Sequence, residues 1–199
     1  MNFLAHTRFA FSRPALIAGQ VAGDFVRGSD LSAFSERVRQ GIRLHRRLDA
    51  WTDRHPIIGE LRPHFVEPRR RFAGIIIDVL FDHWLARHWD AISDDSLEQH
   101  AALVDAALLA HRNELPADAR RFTRVLHERG ILVGNRELAH IALTLERLAS
   151  RSAAFASLAV PASRLEELVA LTEGPFEAFF PEAEETAATL LAELDLVGA

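Results

Sequence analysis

The sequence predicts an all-α, single-domain helical bundle of about seven to eight helices spanning residues 1 to 199. Three observations predict it. Apolar residues recur at helical spacing along almost the whole chain, and no run of alternating β-branched residues marks a strand. Gly, Pro and Ser fall where helices should begin and end. The 199 residues, 49% hydrophobic and 26% charged, suffice for one buried core, and no fixed-period repeat or low-complexity linker divides them.

The elements follow in order. Ser12-Arg13-Pro14 reads as a cap with Pro in the first turn, opening a helix that runs towards Asp24 and Phe25 before Arg27-Gly28 breaks it. Within it, Gly19 and Gly23 lie four apart and permit close helix approach. A second helix runs from about Ser32 to Arg54 and must stop before Pro56. Its stripe Phe34, Val38, Ile42 continues in near-fourfold steps into His45 and Asp49. A third, from about Arg69 to Trp89, is apolar on so much of its circumference that it should be the central one. Further helices are expected over 95 to 113, 117 to 129, 136 to 150 with Asn135 as cap, 163 to 173 ending at Gly174-Pro175, and 181 to 195. Ser163-Arg164-Leu165-Glu166 fits a capping box.

Absences narrow the chemistry. The chain has no Cys, so it offers no thiolate nucleophile, disulfide or cysteine-built zinc site. All 23 basic residues are Arg, which excludes a phosphate-loop lysine and a Schiff base, and the lack of Tyr excludes a phenolic acid. Catalysts reduce to His, carboxylates, Ser/Thr and a metal. The net charge of −5 hides a division: residues 1 to 90 carry 14 Arg against 10 acids, and residues 91 to 199 carry 9 Arg against 18. A basic first half suits a locally anionic partner, while the acidic total argues against nucleic acid. With no cationic leader and no long uncharged apolar stretch, neither secretion nor a membrane span is expected, and the expected location is cytoplasmic.

Two segments put ionisable groups on apolar helix faces. His45 and Asp49 share one face of the second helix, and each needs a hydrogen bond, an opposite charge or a metal to offset burial. A structural pair in which Asp49 orients His45 is the simpler reading of that segment alone. Asp78 and Asp82 lie one turn apart on the most apolar helix, where like charges repel, and His83 adds a nitrogen on the same turn. A divalent ion answers all three. The alternative is that Arg69, Arg70 or Arg71 folds back on the carboxylates. Asp24 and His6 are further candidates. Mixed His and Asp donors suit Mn²⁺, Mg²⁺ or Fe²⁺. No GxSxG, HExxH, GxGxxG or phosphate loop occurs.

Four blocks occur in order: Met1-Asn2-Phe3-Leu4-Ala5-His6, Gly23-Asp24-Phe25-Val26-Arg27-Gly28, His45-Arg46-Arg47-Leu48-Asp49 with Thr52-Asp53, and Asp78 through His83. Together they resemble the acyl carrier protein phosphodiesterase family, divergent helical relatives of the HD-type metal phosphohydrolases. The resemblance covers roughly residues 1 to 90. This sequence departs from the pattern at Gln20, where Asn is expected, and at Trp84, where Phe is expected; its adjacent pair also runs Asp82-His83 rather than His then Asp. The resemblance implies an HD-like fold and release of 4′-phosphopantetheine from the serine of holo acyl carrier protein, with Mn²⁺ or Mg²⁺ as cofactor. On that basis Asp24, His45, Asp78, Asp82 and His83 are expected to hold the metal, with Asp49 and His6 as proton acceptors for the attacking water. Arg27 and Arg46 are expected at the phosphate, and Arg54, Arg62, Arg69, Arg70 and Arg71 at the acidic carrier protein. Competing readings are a phosphohydrolase of nucleotides or other small phosphoesters, and a non-catalytic helical binding module.

Overall fold

The computed structural model describes residues 2–197; Met1, the first residue of the opening block, and Gly198-Ala199, the end of the expected domain, lie outside them. The described residues form α1 (Phe3–Arg8), α2 (Pro14–Ala22), α3 (Glu36–Thr52), α4 (Pro56–Leu61), α5 (Ala73–Arg87), α6 (Trp89–Ile92), α7 (Leu97–Ala110), α8 (Ala117–Glu128), α9 (Ile131–Gly134), α10 (Leu138–Ala149) and α11 (Ala162–Val197), with no strand among them. Seven of these are nine residues or longer. The all-α prediction is met.

Helix α5 is central as its composition predicts: eleven of its fifteen residues are buried, and it packs on α1, α10 and α11. Burying a Leu or Ile side chain here contributes about 1.5 to 3 kcal/mol relative to exposure. Helix α2 lies against α3 with the two backbones touching. A Cβ placed on Gly19 would stand 2.3 Å from the Val38 carbonyl oxygen and 2.7 Å from Gly41 Cα, so only glycine fits at that crossing.

Several expected boundaries move. Ser12 does not cap α2; it and Phe11 have φ of 57° and 49°, forming the tight turn after α1, and Arg13 occupies the cap position without a side-chain bond. Helix α1 was not expected at all, being too short to show a period; Asn2 caps it by accepting from Phe3 N–H. Asn135 does not cap α10, whose cap position is Glu137, because Asn135 is buried beside α5. Ser163 lies inside α11, so no capping box forms there.

The largest correction is α11. Two helices were expected, split at Gly174-Pro175, yet one helix of 36 residues runs through Pro175 and Pro181. Its inward stripe explains this: Leu165, Leu168, Thr172, Phe176, Phe179, Ala183, Ala187, Leu191 and Leu194 are all buried and keep helical spacing across both prolines. Pro181 is exposed and Pro175 half-buried, so neither ring interrupts the buried stripe that holds the helix. Acids of α11 meet Arg residues of the first half. Arg8 reaches Glu184 at 2.8 Å, Arg13 and Arg37 reach Asp195 at 3.0 and 2.6 Å, and Arg47 binds Glu193. Much of the charge division seen in the sequence is thus satisfied inside the molecule.

Candidate metal centre and active-site cavity

Three helical segments bring one cluster together. Helix α1 supplies His6, α3 supplies His45 and Asp49 one turn apart, and the 3-10 turn Gly23–Phe25 after α2 supplies Asp24. Asp49 bridges the imidazoles: its Oδ1 lies 3.1 Å from His6 Nε2 and its Oδ2 lies 3.1 Å from His45 Nε2. Asp24 Oδ1 is 3.5 Å from His45 Nε2. The two rings stack with centroids 4.1 Å apart. Gly23 is required here, because a Cβ at that position would fall 2.3 Å from His45 Cγ. The two glycines read as permitting close approach do so, one against α3 backbone and one against the His45 ring.

Electrostatics divides the roles. Burial works against ionising Asp49, but the bond to His45, with that of His6 when its ring is protonated, outweighs it and holds the carboxyl well below the usual range. Burial lowers His45, yet Asp24 and Asp49 push it up to about 9. For His6, burial and the neighbouring His45 prevail over Asp49 and lower its basicity, favouring the neutral ring. Gln20 Oε1 lies 2.9 Å from His6 Nδ1 and, as an acceptor, fixes the proton there. The lone pair of His6 Nε2 then faces an Asp49 oxygen, an arrangement that a cation between them relieves. Ligand atoms of His6, His45 and Asp49 all lie within 4.8 Å of one another, the one such group among the described residues. Two imidazoles with carboxylates fit a hard-to-borderline divalent ion. The departure at Gln20 therefore falls on the residue that orients His6.

Beside this cluster a cavity of about 390 Å³ opens, with Asp24 and Asp78 on its wall. Its lining is mainly apolar, with Phe3, Ile75, Val79, Phe122, Val125 and Leu148, and four Arg residues of α8, α10 and their following turns border it: Arg121, Arg129, Arg147 and Arg151. Asp78 is partly accessible at that wall, and desolvation raises its carboxyl.

The family profile described as acyl carrier protein phosphodiesterase matches residues 1–183. The chain belongs to that family. Relatives named acyl carrier protein phosphodiesterase include one from Yersinia enterocolitica, 35% identical over 91% of this chain and 94% of the relative. Another, from Pectobacterium atrosepticum, is 33% identical over 95% and 98%, and one from Escherichia coli O157:H7 is 32% identical over 91% and 94%. No solved structure matches the chain. For this acyl carrier protein phosphodiesterase family member, the matched span holds both the His/Asp cluster and the cavity, and ends within α11.

The structure separates the expected site residues. Asp24, His45, Asp49 and His6 meet, and Asp78 shares their cavity. Asp82 does not join them. Its Oδ2 accepts from Leu4 N–H at 2.8 Å and its Oδ1 from Ala5 N–H at 3.0 Å, so the N-terminal amides of α1 face its charge. Burial still pushes its carboxyl up to about 7 against those bonds. His83 also lies outside the cluster: its Nδ1 donates to Asn135 O at 2.7 Å, and Nε2 is buried without a hydrogen-bond partner among the described residues. Sequence spacing placed all three of Asp78, Asp82 and His83 on one turn but could not show which backbone amides would face it.

The expected arginines divide too. Arg46 donates to Gly28 O and Val26 O, both at 2.8 Å, and so braces the loop after Asp24. Arg27 is exposed on that loop. Arg69 and Arg71 donate to Ala159 O and Ala154 O, Arg62 lies 3.6 Å from Asp53, and Arg70 is exposed. Arg54 lines a separate surface hollow beside Trp51 and His55. None of these borders the cavity. The arginines that do were missed, although Arg147 and Arg151 are four apart and Arg121 and Arg129 eight apart, spacings that share a helix face.

Proposed function

We propose that this chain hydrolyses the phosphodiester linking 4′-phosphopantetheine to the serine of holo acyl carrier protein, using the His6–His45–Asp49–Asp24 cluster. The observation that carries the reading is that cluster, sharing Asp24 with a cavity, in a chain of this family. His6 Nε2, His45 Nε2 and the carboxylates of Asp49 and Asp24 would hold a divalent ion, Mn²⁺ or Mg²⁺. Such an ion supplies positive charge to phosphoryl oxygens and lowers the pKa of a water.

The remaining steps belong to the chain's own groups. Gln20 holds the proton of His6 at Nδ1 and leaves Nε2 as a donor atom towards the centre. Asp49 orients both imidazoles, a holding part that supersedes its expected role as a base. Asp24, at the boundary of cluster and cavity, is placed to take the proton of the attacking water. Asp78, raised by burial, retains its proton to higher pH and is suited to return one to the departing serine oxygen. Arg46 fixes the loop that carries Asp24. No described helix is long and apolar enough to cross a membrane. On this reading the enzyme works in the cytoplasm, where its carrier substrate is made.

The test is incubation with holo acyl carrier protein and Mn²⁺ or Mg²⁺, following the mass lost as the arm leaves. Loss of the arm in the wild type and its retention with His45→Ala support the reading. An intact arm alongside turnover of nucleotides would replace the substrate, and an intact arm with no stabilisation by Mn²⁺ would leave a binding module.

A further inference from the structure

Resting on the proposed activity, we infer that the cavity beside the cluster seats the pantetheine arm, and that the carrier protein docks on arginines of the acidic second half of the chain. Position comes first. The cavity shares Asp24 with the cluster, so a chain lying in it ends with its phosphate at the reacting groups. The lining then matches the arm. Phe3, Ile75, Phe122, Val125 and Leu148 give an apolar wall for its methylenes and paired methyls, while Asn2, Asn135 and Thr144 offer donors and acceptors for its two amides and hydroxyl.

The rim identifies the partner. Arg129, Arg147 and Arg151 border the mouth, are exposed, and make no ion pair with a described residue. Arg121, the fourth, is paired with Asp118. By contrast Arg8, Arg13, Arg37 and Arg47 are bound to acids of α11, and Arg69 and Arg71 to backbone carbonyls. Three arginines without an acidic partner among the described residues therefore gather at the cavity, whereas the Arg69-Arg70-Arg71 run keeps only Arg70; Arg27, Arg54, Arg87, Arg112 and Arg124 also lack one but do not line the cavity. Unpaired cations around an apolar slot complement a small acidic protein that delivers an apolar arm.

Two measurements test this with the full-length protein and Mn²⁺ present. Ile75 is 38% exposed, so Ile75→Trp fills the cavity from a position that tolerates bulk; circular dichroism checks its fold. Calorimetric titration with 4′-phosphopantetheine should give binding that weakens at least tenfold in Ile75→Trp. In steady-state hydrolysis, Arg147→Glu with Arg151→Glu should raise KM for holo carrier protein at least tenfold with kcat changed less than threefold, and Arg70→Glu should change KM less. Absence of binding to the wild type, or equal binding to Ile75→Trp, overturns the arm site. An unchanged KM in the double variant, or a larger change from Arg70→Glu, overturns the docking face. Binding that Ile75→Trp weakens, in a protein that leaves holo carrier protein intact, supports the arm site while defeating the proposed activity.

Discussion

Asp49 and Asp82 are both carboxylates carried inward on apolar helix faces, and they end in opposite situations. Asp49 meets two imidazoles, stays ionised, and keeps 38% of its side chain accessible. Asp82 is 1% exposed, meets the backbone amides that begin α1, and is raised to about 7. The difference lies in the donors. Imidazoles can exchange a proton for a cation, whereas helix-start amides have no other acceptor and lock their partner in place. One carboxylate is tied to groups that can trade a proton for a cation; the other builds the platform that holds His6 two residues beyond Leu4.

The sharpest way to break this contrast is substitution at both positions. Asp49→Ala should lower hydrolysis of holo acyl carrier protein about 10³-fold or more, with a smaller loss of unfolding free energy than Asp82→Ala because Asp24 stays beside His45. Asp82→Ala should do the reverse in urea melts, costing about 3 kcal/mol, because two buried amides lose their acceptor at roughly 1 to 3 kcal/mol each. A stable but inactive Asp82→Ala protein would return Asp82 to the reactive centre.

Titration sharpens the comparison by adding His100, which sits 3.0 Å from Thr7 Oγ1 and is lowered to about 4 by burial and then by Arg8. Its folded value lies below the unfolded 6.5, so its contribution is present above pH 6.5 and is lost as pH falls towards 4. Asp82 has the opposite sign: with a folded value near 7 against 3.8 unfolded, its contribution is present below pH 4 and is lost as pH rises through 7. Each amounts to about 3 to 4 kcal/mol at full extent, so the two oppose one another. Relative to wild type, His100→Gln should tilt the stability profile downwards from pH 4 to 7 and Asp82→Asn should tilt it upwards, as read by denaturant midpoints. Parallel slopes in the two variants would contradict the assignment.

Smaller effects concern the glycines. Gly19→Ala should cost about 1 to 3 kcal/mol in thermal unfolding, since its Cβ meets fixed backbone. Gly23→Ala should lower turnover more than stability, because its Cβ strikes the His45 ring. Equal losses of both in Gly23→Ala would make that glycine a packing residue only.

Much of this was legible in the sequence, for identifiable reasons. The stripe through Val38, Ile42, His45 and Asp49 is long enough for its period to point the two polar residues inward, and the glycine spacing marks where α2 meets α3. The apolar circumference of 73 to 86 names the central helix. What stayed hidden depends on contacts distant in sequence. Asp82 and Asp78 are equivalent in spacing until α1 packs against one of them. The prolines of α11 read as breaks because their side of the helix, outward or inward, is set by the bundle. The cavity arginines come from separate helices of a segment whose average charge is negative, so counting charge by halves pointed to Arg54, Arg62 and Arg69 to Arg71, none of which lines the cavity.

At the α2–α3 crossing, a Cβ on Gly41 would come within 2.8 Å of Gly19 Cα and 2.6 Å of the Leu16 carbonyl oxygen. Main chain abuts main chain there, leaving no rotamer to give way. The gap between Asp24 and His45 is thus gauged by covalent geometry, as a fixed spacer sets a vice, and thermal jostling of neighbouring side chains has little purchase on it.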